Sequence, residues 1–389
     1  MPKFIEIESK SLIYRHKFKD NWFWVRYAIN PYRGCQYACS YCDALTDKYL
    51  IHDDYHNFAR EIYVKKNATS ILNKELKKFR PDVVGLSGVT DPYQPAEERY
   101  ELTRKIMEIL RRNHFPVHIS TKSDLVLRDI DILKKISKDS WCTISFTIIT
   151  FDENILTYLE PSAPSPHRRL SAIKKLKRAN IQVGVNFIPI IPHILDDKDN
   201  IEDVIKKTSK YADYIIIGSG MTLRSNQRTR FMKLLEIKFP ELVDKYKKMY
   251  KNRTDPPRQY LQKINYIGLK LCKKYGIKNY IEPPNFRVVS PQQTLIPTDD
   301  FIKENRDLAQ HLLLIAFLKE YKSGNSHSNW NYHKAAESIE NLDENILKHY
   351  HKGLLTDIPG VGLKIQEIIE DYLLTGTSQE LERELTIYE

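Results

Sequence analysis

Asn30-Pro-Tyr-Arg-Gly-Cys35-Gln-Tyr-Ala-Cys39-Ser-Tyr-Cys42-Asp-Ala44 sets three cysteines in a C-x3-C-x2-C run. A [4Fe–4S] cluster as a rule takes four cysteine ligands. Three thiolates leave one iron open, much as catalytic zinc sites keep an open position. Close cysteines in a reducing compartment also read as a zinc site. His52 and His56 are the nearest downstream candidates for a fourth zinc ligand. Counting ligands leaves both readings open.

Outward from this loop the chain alternates between apolar β-rich runs and helical patterns. Candidate strands are Phe23–Ala28, Val83–Val89, Val117–Thr121, Cys142–Ile149, Gln182–Ile188 and Tyr214–Ile217. Several are continuously apolar and β-branched, which predicts burial on both faces, as in a parallel sheet. Helical patterns at Ala96–Arg112, Asp124–Ser137, Pro166–Arg178 and Ile201–Lys210 fall between them. Six βα units of this kind predict an α/β fold with a partial (βα)6 barrel. Chemistry in such barrels collects at the C-terminal ends of the strands, and the cysteines follow the first strand. Phe231–Lys251 and Pro257–Tyr275 read as outer helices. The proline-bearing stretch Ile281–Asp300 reads as a linker, and residues 301–389 as a small all-α domain. The division is therefore 1–280, 281–300 and 301–389.

With Tyr41 directly before the third cysteine, the flanks Asn30–Cys35 and Tyr41–Ala44 resemble the cluster loop of the radical S-adenosylmethionine (SAM) enzymes, in their spore-photoproduct-lyase-like branch. The resemblance implies the radical SAM form of the partial barrel. It also implies a [4Fe–4S] cluster on Cys35, Cys39 and Cys42, with SAM on the open iron. An electron donor such as flavodoxin or ferredoxin would supply the electron that cleaves SAM to a 5′-deoxyadenosyl radical, which abstracts a hydrogen atom from the substrate. Ser87–Pro95 resembles the family's second strand end, so Thr90 and Asp91 are candidates to hold the SAM ammonium; Asp91 also reads as a turn or helix cap. Ser120–Asp124 is again like the family, with Thr121 and Lys122 facing the pocket mouth. Ser145 lies on the same strand face as Thr147. Glu160, with Arg168 or Arg169, would bracket the ribose and carboxylate of SAM. Tyr41, Asn186 and Gly220 complete the cofactor set. Spore photoproduct lyase uses an extra cysteine to return a hydrogen atom, and the spare cysteines here, Cys142 and Cys272, do not match its place. Cys142 and Tyr93 are the weak catalytic candidates, and packing is the plainer reading of each.

The run Ile358-Pro-Gly360-Val-Gly362-Leu-Lys364-Ile365 before a helical pattern looks like a helix-hairpin-helix. Its glycines permit a tight hairpin whose backbone N–H groups suit a phosphate, a contact that positions without reading sequence. Residues from Asn305 through Leu385 resemble the N-terminal lyase domain of family X polymerases. Alignment on the hairpin puts Ile368 where those polymerases carry a Schiff-base lysine. An isoleucine is no nucleophile, so no abasic-site lyase activity is expected.

Net charge is +11, divided unevenly. Residues 300–389 hold 9 Lys+Arg against 16 Asp+Glu, a net of −7, and residues 1–299 hold 52 against 34, a net of +18. Asymmetry of this kind marks a nucleic-acid face or a lysine-rich solvated surface. The acidic helical domain is expected to bind DNA weakly by itself, or to dock on protein. Arg228, Arg230 and Lys233 open a basic stretch expected to carry backbone contacts. The leading expectation is a radical SAM enzyme acting on DNA bases. Modification of RNA, or a non-enzymatic iron–sulfur DNA-binding protein, are the alternatives. The five cysteines form no disulfide framework, and no apolar run reaches the roughly 20 residues of a membrane span. A cytoplasmic location without membrane contact is expected, with oligomeric state left open.

Overall fold

The computed structural model describes residues 2–218, 220–285, 302–324 and 329–386. Its strands are β1 (Lys3–Ile7), β2 (Ile13–Arg15), β3 (Tyr27–Ile29), β4 (Tyr32–Arg33), β5 (Glu61–Lys65), β6 (Val84–Leu86), β7 (Val117–Thr121), β8 (Cys142–Thr147), β9 (Gln182–Phe187) and β10 (Tyr214–Ile217). β3, β6, β7, β8, β9 and β10 pair in that order, all parallel, and β2 adds antiparallel to β3. Every residue of β8 and β10 is buried, as covered parallel strands require. β10 pairs with neither β2 nor β3, so the barrel is partial, an open curve of six parallel strands. The predicted α/β architecture with a helical C-terminal domain is therefore what the chain adopts. The sequence pattern did not disclose the small sheet β1–β5–β4, in which Tyr32, Ile62 and Val64 form a separate buried cluster while β1 stays partly exposed.

Two element boundaries differ from expectation for local reasons. The first strand begins at Tyr27, not Phe23. The Asp20 carboxylate accepts the backbone N–H groups of Trp22 (3.3 Å) and Phe23 (3.0 Å), and Trp24 takes φ +63°. An apolar run thus starts as a carboxylate-held turn. The expected helix Ala96–Arg112 breaks at Glu101, at φ +50°, into Ala96–Tyr100 and Leu102–Arg112. The buried Glu97 carboxylate caps the second piece by accepting the N–H groups of Thr103 (2.9 Å) and Arg104 (3.2 Å).

The C-terminal helices are Lys303–Ser323, Trp330–Glu340, Ile346–His351, Leu363–Thr375 and Gln379–Thr386. The long helix Lys303–Ser323 packs on the outer helix Arg258–Lys274. Trp22 before β3, Gly218 after β10 and Tyr321 of the long helix line one cavity, so that helix closes the gap between the two ends of the open curve. A buried ionic cluster fastens this seam. Lys19 lies 3.0 Å from Asp82 and 2.5 Å from Glu340; Arg26 lies 2.8 Å from Glu340 and 2.7 Å from Glu337. Residues 286–300 of the expected linker fall outside the described residues. Among the described residues no helix is long and apolar enough to cross a membrane.

Candidate active site

Gly34 fixes where the cysteine loop starts. It sits at φ +80°, and a Cβ there would lie 2.6 Å from the Glu61 carbonyl oxygen and 2.7 Å from that of Phe58. Only glycine takes this conformation against so close a backbone. Its own carbonyl accepts Thr90 Oγ1–H at 2.7 Å and Gln94 Nε2–H at 3.1 Å, which ties the loop to the end of β6. Cys35, Cys39 and Cys42 then line a single cavity of about 340 Å³ at the C-terminal ends of the parallel strands, with Thr90, Asp91, Thr121, Lys122, Thr147, Ile188 and Gly220.

Asp91 is locked by three donors: Thr121 Oγ1–H (2.7 Å), the Lys122 backbone N–H (2.7 Å) and that of Tyr93 (2.9 Å). Burial raises its pKa and these donors oppose the rise. Behind the cavity wall, which neither Glu160 nor Arg169 lines, Tyr41 donates its hydroxyl to Glu160 and Arg169 pairs with the other oxygen of that carboxylate. Arg169 also donates to the Thr147 carbonyl at 2.8 Å. Burial alone would raise the Glu160 pKa, but Arg169 and Lys122 hold it below the ordinary value. The Lys122 ammonium is 4.0 Å from Glu160 and 5.5 Å from the Tyr41 ring centre. The Cys39 thiol is pushed by burial up to about 12, and Cys35 and Cys42 are likewise raised, burial again leading. A coordinated metal deprotonates a thiol outright.

The donor set fits a cluster held by three thiolates. Neither histidine of the zinc reading reaches the cavity. His52 Nε2 lies 2.8 Å from the Glu61 carbonyl, and His56 Nδ1 lies 2.7 Å from an Asp54 oxygen at the surface. Among the described residues no group of three or more His, Cys, Asp or Glu side chains converges on a single ion.

Comparison with known proteins agrees. The radical SAM superfamily model matches residues 29–207, and a helix-hairpin-helix domain model matches residues 303–378. An uncharacterized protein of Methanocaldococcus jannaschii is 32% identical over 254 residues, 65% of this chain and 90% of that one. The chain is a radical SAM protein. An uncharacterized protein of Mycobacterium tuberculosis is 29% identical over 255 residues, 65% of this chain and 75% of its own. A spore photoproduct lyase mutant with bound AdoMet and dinucleoside spore photoproduct superposes with a TM-score of 0.53 at 14% identity, covering 70% of this chain and 79% of that structure. This likeness shows the shared fold. Radical SAM proteins use a [4Fe–4S] cluster and SAM.

In this radical SAM protein several expected residues stand elsewhere. Arg168 points to the surface and pairs with Asp124 at 2.8 Å, its side chain 63% exposed, whereas Arg169 is the buried arginine at the mouth. The helix Pro166–Arg178 separates neighbouring residues by about 100°, so only one of the pair faces inward. Ser145 does not line the cavity. It lies deeper in the barrel, 2.9 Å from the Tyr214 hydroxyl and 3.0 Å from His118 Nε2. Asn186 also sits beneath the floor: its amide donates to Ser120 Oγ at 3.0 Å, and its buried Oδ1 has no protein partner. Gly220 lines the cavity, and a Cβ there would meet Leu261 at 2.7 Å and Pro256 at 2.9 Å. The Tyr93 hydroxyl is buried and donates to Asp129 at 3.1 Å, away from the cavity. Cys142 opens β8 at the far end of the barrel, buried and raised to about 12 by desolvation. Neither Cys142 nor Cys272 lines the cavity.

The basic stretch is partly internal. Arg230 donates to the Ala38 carbonyl within the cysteine loop at 2.6 Å, and Arg228 to the Tyr250 carbonyl at 3.1 Å. Lys233 is exposed. On the same helix, Ser225–Lys238, Gln227 lines the cavity and donates to the Tyr41 carbonyl at 2.9 Å. Sequence reasoning passed over Gln227 because a lone glutamine carries no signal of its own. In the helical domain Gly360 takes φ +92°, where a Cβ would lie 2.6 Å from the Ala335 nitrogen, so the hairpin presses on the helix Trp330–Glu340. Gly362 caps the helix Leu363–Thr375 facing open space. Lys364 is largely exposed, 3.5 Å from Glu380. Ile368 is buried in the domain core.

Proposed function

We propose that this radical SAM protein is an enzyme that modifies or repairs bases in DNA. The observation that carries the reading is the union, in one chain, of a three-cysteine cavity at the barrel mouth with a helix-hairpin-helix domain that closes the barrel's open side. The spore-photoproduct-lyase fold of the barrel supports the same substrate class. Cys35, Cys39 and Cys42 would hold the cluster. When bound, cluster and SAM supply a 5′-deoxyadenosyl radical able to take a hydrogen atom from a substrate carbon.

The chain's own residues bind, orient and shield. Asp91, fixed by Thr121 and the Lys122 and Tyr93 amides, presents a rigid acceptor beside the cysteines, suited to an ammonium. Lys122 supplies a half-buried cation at the cavity wall for a carboxylate. Glu160, buried behind the cavity wall with one oxygen taken by Tyr41 and the other by Arg169, fixes the Tyr41 ring and sets a counter-charge near Lys122. Arg230 and Gln227 pin the cysteine loop from above through its carbonyls, which keeps the loop closed over the cavity. A base within a duplex would be extruded to reach this site.

A screen of damaged and undamaged DNA for substrate-stimulated SAM cleavage, under strict anaerobiosis, tests the reading. Stimulation by one class of DNA is the expected result. Stimulation by structured RNA alone would move the substrate to RNA, and failure to cleave SAM with any nucleic acid would overturn the enzymatic reading.

A further inference from the structure

A second cavity of about 320 Å³ lies in the seam between barrel and helical domain. Ile188 and Gly220 line both it and the catalytic cavity, so the two share a wall. Gly218 and Gly220 are closely packed there: a Cβ on Gly218 would meet Ile188 at 2.8 Å and one on Gly220 would meet Leu261 at 2.7 Å. Trp22 and Tyr321 form an aromatic side, their ring centres 6.3 Å apart and edge-on.

Asn265, Glu320 and Asp255 bring acceptor oxygens to this cavity. Asn265 is 3% exposed; its Nδ2 donates to the Tyr321 carbonyl at 2.6 Å, and its Oδ1 has no protein partner. A buried amide oxygen left unmatched is costly. Glu320 is equally buried, its carboxylate accepting Asn21 Nδ2–H at 3.1 Å and lying 3.1 Å from His333 Nε2. Asp255 stands exposed at the rim. A complementary ligand brings hydrogen-bond donors on a flat apolar body.

We infer that this seam cavity holds an unstacked nucleobase bearing an exocyclic amino group, next to the nucleotide presented to the catalytic cavity. The inference rests on the nucleic-acid reading above and deepens it. Trp22 supplies the stacking surface and Asn265 Oδ1 the acceptor for the amino group. The helical domain then acts as half of the substrate site, since Glu320 and Tyr321 belong to it. Adenine, cytosine and guanine carry such an amino group; thymine and uracil do not.

Binding of ten-nucleotide oligo-dA, oligo-dC and oligo-dT to the reconstituted full-length protein with SAM tests this. Wild type should bind oligo-dA and oligo-dC about tenfold more tightly than oligo-dT, the worth of one well-made hydrogen bond to a buried acceptor. Asn265→Leu should abolish that preference. Trp22→Leu should weaken all three by about tenfold, the loss of one stacked base. SAM affinity, read in parallel, should stay as in wild type for both variants and reports that each has folded. Equal affinity of wild type for the three oligonucleotides, or variants that bind as wild type does, would overturn the inference and leave the cavity water-filled only. A wild type that cleaves SAM yet binds no oligonucleotide would overturn the nucleic-acid reading itself.

Discussion

Two of the buried ionic clusters in this molecule, one at the domain seam and one at the barrel mouth, differ in one respect. At the domain seam Lys19 and Arg26 each sit within 3.5 Å of at least two carboxylates, from Asp82, Glu337 and Glu340. At the barrel mouth Arg169 is closely paired with Glu160, but Lys122 reaches that carboxylate only at 4.0 Å and lines the cavity. Both clusters use the same residue types, but the Lys19 side chain is 2% exposed and that of Lys122 16%. The seam cluster is closed on itself and fastens two domains. The mouth cluster keeps a cation in reserve for something that enters. Composition does not separate the two roles; the unsaturated member does.

Breaking the seam should cost the most. Glu340→Ala leaves Lys19 and Arg26 buried with too little counter-charge, and removing one partner of such a pair costs about 3–5 kcal/mol. Denaturant unfolding should show that loss, with the helical domain releasing first. A change under 1 kcal/mol would show that the seam is not held by charge.

At the mouth, Arg169→Ala removes the partner of Glu160. SAM affinity should fall by about 10–100-fold, the worth of about 1.5–3 kcal/mol for hydrogen bonds to a charged group. Equilibrium SAM binding to the reconstituted protein measures it. Arg168→Ala, on the exposed neighbour, should change stability by no more than about 1 kcal/mol and leave SAM binding alone. Equal effects from the two arginines would erase the distinction between an inward and an outward side chain.

The barrel interior between the clusters should respond to pH. His118 is buried beside Ser145 and stacked on Phe23, with ring centres 4.9 Å apart. Burial lowers its pKa from 6.5 to about 3. The unfolded chain therefore takes up this proton below pH 6.5 while the folded chain refuses it. The stabilising effect of the neutral ring is fully present above pH 6.5 and is lost as pH falls from 6.5 toward 3, at up to about 1.4 kcal/mol per pH unit. His118→Gln should flatten that slope in unfolding measured between pH 4 and 7. An unchanged slope would place the proton uptake elsewhere.

Much of this was legible in the residues. β7, β8, β9 and β10 were placed nearly to the residue, although only Tyr214–Ile217 is an unbroken apolar run; in β8 the polar Thr143, Ser145 and Thr147 alternate with Cys142, Ile144 and Phe146 and are buried all the same. The first strand was placed early because Trp22–Val25 is apolar yet held in a turn by the Asp20 carboxylate, a tertiary choice that propensity does not encode. Thr90, Asp91, Thr121 and Lys122 were readable from strand ends and do meet at one cavity. Ser145 was not separable from Thr147, since period two gives the face but not the depth. Arg168 and Arg169 could not be told apart until the helix phase was known. Arg228 and Arg230 read as a free basic face, yet their guanidinium groups donate to carbonyls of the Tyr250 turn and the cysteine loop. The docking of the acidic domain was visible only as a charge imbalance, and the structure supplies the partners.

Reductive cleavage of SAM is the most direct test. The protein, reconstituted with iron and sulfide without oxygen and then reduced, should convert SAM to 5′-deoxyadenosine, and Cys39→Ala should not. Wild-type protein that carries an intact cluster and binds SAM, yet yields no 5′-deoxyadenosine with or without DNA, would contradict the account.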